Sequence, residues 1–241
     1  MKILKFINML LKCKKDMKTK HQLELNTLIF FFMLGIGQLV PDTYFGNFMK
    51  LQQVLELLLF VPWSLSILWI LKNIHHTIYR KIAVLFLTMF AVGYGMHTVA
   101  NQLSSLPAER LLNDIIYFYD EILSHYIIWA SYFGIIFFLI FFNNLKESIK
   151  EKDVLFTLVA ISHGGLVALS CIEAQSVIIL ITYLLALGIL PLLRKSFWRQ
   201  LKISPIGNYY VISAITSVII LILWGIAFQG FPEPSTLGLI K

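Results

Sequence analysis

The sequence predicts an all-α fold, a polytopic membrane protein with seven transmembrane helices. Of the 241 residues, 58% are hydrophobic and only 14% are charged, whereas a soluble domain carries about 25% charged residues. Apolar runs long enough to cross a bilayer recur along the whole chain. The runs are continuously apolar and do not alternate with polar residues, which favours helices and excludes a membrane β-barrel.

Seven stretches meet the requirement for a spanning helix, which is about 20 mostly apolar residues. Pro41 ends the first stretch and Pro107 follows the third. In the fourth, Leu111–Asp114 forms either the first turn of the span or a preceding turn at the interface. The predicted spans are, in chain order, Leu23–Val40, Val54–Leu71, Ile82–Leu103, Ile115–Phe142, Val154–Cys171, Ser176–Leu193 and Tyr209–Phe228.

The basic residues predict the orientation of these spans. With seven spans, all of the 20 lysines and arginines except Lys50, Arg110 and Lys241 fall on one side of the membrane. Because loops rich in lysine and arginine remain in the cytoplasm, we expect a cytoplasmic N-terminus and an extracytoplasmic C-terminus in the cell membrane. The chain then divides into a basic cytoplasmic segment (1–22), a transmembrane domain (23–230) and a short extracytoplasmic tail (231–241).

The net charge of +7 does not indicate nucleic-acid binding, because the basic residues lie in short loops where they control topology. The partners we expect are membrane lipids, one of which is a possible substrate. The apolar stretch Ile7–Leu11 is too short for a signal peptide, so the N-terminal segment is either a basic amphipathic segment on the membrane surface or a solvated tail. The oligomeric state is not predicted.

Ionisable side chains inside the predicted spans indicate a functional site, because they are costly in lipid and usually face a cavity or a partner. His97 lies near the outer end of the third span, Asp120, Glu121 and His125 lie in the outer half of the fourth, and His163 lies near the middle of the fifth. Glu121 and His125 are four residues apart and share a helix face. Three histidines with a carboxylate can form a zinc site or part of an iron site.

Two other interpretations of these polar residues remain open. Histidine also joins membrane helices through hydrogen bonds without any metal, so the cluster could be a structural network. It could also line a ligand or proton pathway. Aromatic residues have simpler expected roles: Trp63, Tyr209 and Tyr210 are typical of interface anchors, and Phe30, Phe31 and Phe32 are expected to face lipid.

Two short motifs, GYGMHT at 93–98 and YDEIL at 119–123, resemble part of the CREST superfamily of seven-helix membrane hydrolases, which includes alkaline ceramidases and progestin/adipoQ receptors. The resemblance covers about thirty residues. It implies that His97 binds zinc and that Asp120 orients the zinc-bound water. The family takes two further zinc ligands from its last helix, which lacks histidine here, so His125 and His163 would have to replace them.

The function predicted from these observations is that of a metal-dependent membrane hydrolase acting on a lipid amide or ester. The metal, zinc or another divalent transition metal, would be bound by His97, His125, His163 and Glu121. Glu121 would be the fourth ligand or a general base, and Asp120 would orient or activate water. A bound zinc ion makes hydroxide available near neutral pH, and the lipid would enter sideways between helices.

The competing prediction is a non-enzymatic membrane sensor, carrier or assembly protein. In that case the polar cluster binds a small ligand, haem or a quinone, or only packs helices. Retinal is disfavoured, because the last span has no lysine near its middle that could form a Schiff base.

Overall fold

The computed structural model of the chain describes residues 19–39, 43–45, 49–74, 76–104, 109–142, 153–193, 201 and 204–239. Most of the predicted basic segment and most of the basic residues in the loops after the fourth and sixth spans lie outside these residues. Seven long helices lie within the described part. They are α1 (Thr19–Leu39), α2 (Leu51–Leu71), α3 (Thr77–Ser104), α4 (Arg110–Phe142), α5 (Val154–Glu173), α6 (Val177–Leu193) and α7 (Pro205–Phe228).

Five of these helices, α2, α3, α4, α5 and α7, are long and apolar enough to cross a membrane. In α6 the apolar stretch is shorter, Val177–Ile189. By helix length and hydropathy the chain is therefore a multi-pass integral membrane protein, and the predicted all-α class is confirmed at that level. The number of helices that cross the bilayer and their direction stay predictions.

Capping side chains begin two of the described helices, and one of them begins its helix before the predicted span. The side chain of Asp153 accepts a hydrogen bond of 3.0 Å from the Phe156 N–H at the start of α5. Ser204 does the same for Gly207 at 2.9 Å and begins α7 four residues before the predicted Tyr209, with Pro205 in its first turn. Hydropathy marks the apolar part of a helix, whereas caps mark its ends.

Two local features were not predicted. Within α4, residues Phe118–Ser124 form a π-helix, although the sequence predicted a regular α-helix there. Between α1 and α2, the short strands β1 (Tyr44–Phe45) and β2 (Met49–Lys50) pair as an antiparallel hairpin. π-Helical turns are rare and occur frequently at functional sites, so the first feature bears on function.

The most extensive helix contacts are between α3 and α4, between α5 and α7, and between α1 and α2. Gly164 permits the close approach of α5 to α7, because a Cβ atom there would overlap the main chain of Ser213. The neighbour that this glycine admits is a helix backbone.

The centre of the bundle is an aromatic core, and it corrects several expected roles. Phe30 is buried and stacks on Tyr132 with ring centroids 5.2 Å apart, so it does not face lipid. Trp63, Tyr209 and Tyr210 are also buried and are not interface anchors. Hydropathy cannot distinguish the lipid-facing from the core-facing side of an apolar helix, because both are apolar.

Candidate histidine–carboxylate site

His97 of α3 and Asp120 of α4 form an ion-pair contact between two helices. Nδ1 of His97 lies 2.7 Å from Oδ1 of Asp120, and the Asp120 side chain is almost completely buried. A carboxylate on Nδ1 fixes the orientation and tautomer of an imidazole and leaves Nε2 for chemistry. Among the residues that the structure describes, neither of these two atoms has a hydrogen-bond partner that satisfies angle as well as distance, so the contact is an ion pair that requires His97 to be protonated. A carboxylate beside a histidine in this way is found in acid–base and metal-binding sites.

A second histidine lies beside the first. The rings of His97 and His125 are 4.7 Å apart between centroids. Nδ1 of His125 lies 3.6 Å from Oε2 of Glu121, which confirms that these two residues share a helix face. We refer to His97, Asp120, Glu121 and His125 as the histidine–carboxylate cluster.

The π-helix carries both carboxylates of the cluster. Asp120 and Ser124 are buried, whereas the Glu121 side chain is about two-fifths exposed at 42%. The Ser124 hydroxyl donates to the main-chain carbonyl of Asp120. A π-turn places an extra residue in the turn and so changes which side chains face inward relative to a regular α-helix. The burial of Asp120 against α3 depends on this local geometry.

Glu56 of α2 is a further member of the site's surroundings. It interacts electrostatically with His97, and Gln52 donates a 2.9 Å hydrogen bond to its Oε1. The sequence does mark Glu56 as an ionisable residue in a predicted span, but nothing in one sequence shows that α2 approaches His97. Helix rotation and neighbour order are set by packing, which the pattern of polar residues does not encode.

His163 lies in a different network. Its Nε2 is 2.5 Å from the Tyr132 hydroxyl and its Nδ1 is 2.7 Å from the Ser213 hydroxyl, so both ring nitrogens have partners. Aromatic rings surround it, those of Phe30, Tyr209 and Tyr132 among them. This fully bonded histidine has the character of a residue that joins α4, α5 and α7.

Other buried hydrogen bonds extend this polar contact between helices. Asn26 of α1 donates to Ser66 of α2 at 2.6 Å, and the Thr27 and Tyr209 hydroxyls bond α1 to α7. Asn26, Thr27 and Ser66 were not singled out from the sequence, because asparagine, threonine and serine in a span carry no charge. They show that part of the buried polarity serves helix packing.

The predicted metal ligands do not gather around one point. Across the residues the structure describes, no three histidine, cysteine, aspartate or glutamate side chains are arranged to hold a metal ion. His163 could reach an ion only by losing its bond to Tyr132 or Ser213. A site made by His97, His125, His163 and Glu121 would require these bonds to change, and the zinc assignment stays a prediction that metal analysis would test.

The C-terminal tail folds back onto the end of the bundle that holds the cluster. The main-chain N–H of Ser235 donates to Glu173 at 3.0 Å, and Gln175 donates to the carbonyl of Phe231 at 3.1 Å. Trp224 of α7 donates to the carbonyl of Pro232 at 3.2 Å. The predicted extracytoplasmic tail is thus ordered over residues 231–239, against the turn between α5 and α6.

Comparison with known proteins gives no family to which the chain can be assigned. Its sequence matches no family model and no curated protein, and its structure matches no solved structure. The chain is a helical multi-pass membrane protein whose function must be inferred from its own residues.

Proposed function

We propose that the chain is a membrane-embedded hydrolase that cleaves a lipid amide or ester at the histidine–carboxylate cluster. The observation that supports this most is the 2.7 Å contact between His97 and Asp120. Asp120 lies in a π-helical segment, and such segments occur frequently at functional sites. Charged groups are also retained inside membrane helices chiefly for function. The resemblance of residues 93–98 and 119–123 to seven-helix membrane hydrolases favours the same reaction.

In the proposed reaction His97 is the general base and Asp120 holds its ring. Nε2 of His97 takes a proton from water as the water oxygen bonds to the substrate carbonyl carbon, giving a tetrahedral intermediate. The imidazolium then returns the proton to the leaving nitrogen or oxygen as its bond to that carbon breaks. Asp120 stays ionised and stabilises the imidazolium, as in other carboxylate–histidine pairs.

His125 and Glu121 would assist on the other side of the substrate. With its ring 4.7 Å from that of His97, His125 is close enough to bind the carbonyl or the leaving group of the same molecule. The partly exposed Glu121 would direct His125 and bind water at the entrance. No step is assigned to a metal, because the described residues do not provide a set of ligands.

The orientation proposed for this enzyme is that of seven spans with a cytoplasmic N-terminus. Among the described residues, Lys72 and Arg80 lie at the ends of α2 and α3 that are remote from the cluster, whereas Lys50 and Arg110 lie at the opposite ends. The excess of basic residues in the loops of the first group favours placing them in the cytoplasm. The cluster would then open toward the extracytoplasmic leaflet.

A second candidate function is structural, and the bonding of His163 favours it. That histidine has partners on both nitrogens, which supports a role for histidine in helix packing in this bundle. The cluster could serve the same purpose, or bind a small ligand, haem or quinone, in a sensor, carrier or assembly protein. A variant of the cluster loses hydrolysis if its residues are catalytic, whereas it loses stability if they only pack helices.

The test is lipid hydrolysis by the purified chain in liposomes. Phosphatidylcholine and ceramide, each with a fluorescent acyl chain, present one ester and one amide substrate. We expect wild type to release labelled fatty acid from one of them, and His97→Gln to reduce the rate about 100-fold or more. His76→Gln is the matched control, since His76 is exposed and lies before α3. No release above protein-free liposomes, or equal release by both variants, would exclude this hydrolase.

A further inference from the structure

An apolar groove lies between α6 and α7, outside the cluster. It has a volume of about 570 Å³ and is lined by nine residues, all apolar, from α6, α7 and the tail residue Phe231. Leu185, Ile222 and Ile226 in its walls are each more than half exposed. Because α7 is a membrane-spanning candidate, this open side faces hydrocarbon, and the molecules that reach it are lipid acyl chains.

The groove is connected to the cluster through the tail and the turn between α5 and α6. Phe231, which lines the groove, accepts a 3.1 Å hydrogen bond from Gln175. The main chain of Ala174, the residue before Gln175, interacts electrostatically with the imidazole of His125. The end of the groove is thus linked through Gln175 and Ala174 to the side of the cluster that holds His125.

Charged residues of the tail and turn also interact with the cluster. Glu173 binds the N–H of Ser235 at 3.0 Å, and both Glu173 and Glu233 interact electrostatically with Glu121. Phe231 and Glu233 are two residues apart, so their Cα atoms are separated by at most about 7 Å. An elongated molecule that begins in the groove and passes Phe231 therefore arrives at the carboxylate side of the cluster.

We infer that the groove binds one acyl chain of a membrane lipid and places the lipid's head-group region at the cluster. The inference rests on the proposed function, and it identifies the substrate as a two-part molecule with a long chain and a polar carbonyl-bearing head. An acyl chain gains little by leaving lipid for an equally apolar groove. Binding must therefore depend on close packing along the groove together with polar contacts made by the head at the cluster.

Glycine provides a matched pair of variants. A Cβ atom on Gly225, in the groove, would lie 3.5 Å from the Phe231 ring, an ordinary contact, so a larger side chain there extends into the groove without displacing backbone. Gly188 of α6 has open space around it and does not line the groove. Gly225→Leu therefore fills the groove, and Gly188→Leu adds the same side chain elsewhere on the lipid-facing surface.

The experiment is photolabelling in nanodiscs by two ether-linked phosphatidylcholine analogues, which resist hydrolysis. One carries a diazirine near the end of an alkyl chain and the other carries it in the head group. We expect the chain probe to label groove residues of α7, with about tenfold less labelling in Gly225→Leu and no loss in Gly188→Leu. The head-group probe should label the tail at 231–235 and the cluster.

Labelling spread over α7 in proportion to exposure, or unchanged in Gly225→Leu, would overturn the inference. Head-group labelling away from the cluster would overturn it as well. Labelling of wild type separates this result from the proposed function, because the ether-linked analogues report binding without any hydrolysis. If labelling is as expected and wild type hydrolyses neither lipid, the lipid site stands and the hydrolase proposal fails.

Discussion

The imidazole of His97 and the carboxylate of Asp120 are 2.7 Å apart between Nδ1 and Oδ1, although they belong to different helices of a membrane bundle. The pair joins α3 to the π-helical part of α4. An ion pair in this setting is costly to bury and strongly destabilising to break. Its position beside a second histidine is the basis of the proposed chemistry, whereas His163, Asn26 and Thr27 form hydrogen bonds between helices.

We predict that His163→Leu destabilises the protein without removing hydrolysis. The substitution leaves the hydroxyls of Tyr132 and Ser213 without their present partner, at a cost of about 1 to 2 kcal/mol. Thermal unfolding in detergent, followed by circular dichroism, measures the loss. The triple variant with Tyr132→Phe and Ser213→Ala should recover part of it, because no unpaired hydroxyl remains. A folded His163→Leu protein with abolished hydrolysis would place His163 in the site.

Neighbouring glycines in α5 should respond differently to the same substitution. Gly164→Ala puts a Cβ atom into the main chain of Ser213, whereas Gly165→Ala meets only the end of the Ile220 side chain at 3.4 Å. Backbone cannot move aside as a side chain can, so we expect Gly164→Ala to cost about 3 kcal/mol and Gly165→Ala well under 1 kcal/mol. Equal unfolding temperatures for the two variants would show that α5 and α7 are not in close contact.

Much of the fold could be predicted from the sequence, because long runs of high hydropathy identify helices that can cross a membrane. Each predicted span overlaps one of α1 to α7. The roles of Phe30 and Trp63 were wrong because an apolar residue can face either lipid or core. The π-helix was missed because its residues have no composition that distinguishes them from an α-helix.

Some residues of the site could also be predicted from the sequence. Ionisable residues inside a span are visible in sequence, so His97, Asp120, Glu121 and His125 were all selected. Whether these side chains contact one another depends on helix rotation, which the sequence does not reveal. His163 lies apart from the other four residues for this reason. Hydrogen-bonding partners such as Tyr132 and Ser213 carry no charge, so their part in binding His163 was not visible.

The proposed orientation predicts which residues a membrane-impermeant thiol reagent can reach in intact cells. The background is a variant with Cys13→Ser and Cys171→Ser, the latter replacing a buried thiol. Glu109 and Arg80 are both exposed and lie at opposite ends of α3 and its following loop. We expect Glu109→Cys to react in intact cells and Arg80→Cys to react only after permeabilisation. The reverse pattern would invert the topology.

Glu56→Gln should reduce hydrolysis less than changes at Asp120. Glu56 acts on His97 electrostatically and accepts a hydrogen bond from Gln52, whereas Asp120 contacts the ring directly. We expect a loss of about tenfold in kcat, equivalent to about 1.4 kcal/mol of transition-state stabilisation. Glu109→Gln is the control, since Glu109 is exposed before α4. A Glu56→Gln protein as inactive as Asp120→Asn would make Glu56 a direct participant.

The most direct test of the account is a double-mutant cycle on His97 and Asp120, with lipid hydrolysis in liposomes as the readout. His97→Gln and Asp120→Asn should each reduce kcat about 100-fold, because each removes the oriented base. The double variant should then lose no more than about twofold beyond the worse single variant. Losses that multiply in the double variant, or single variants as active as wild type, would contradict the claim that the two residues act as one acid–base unit.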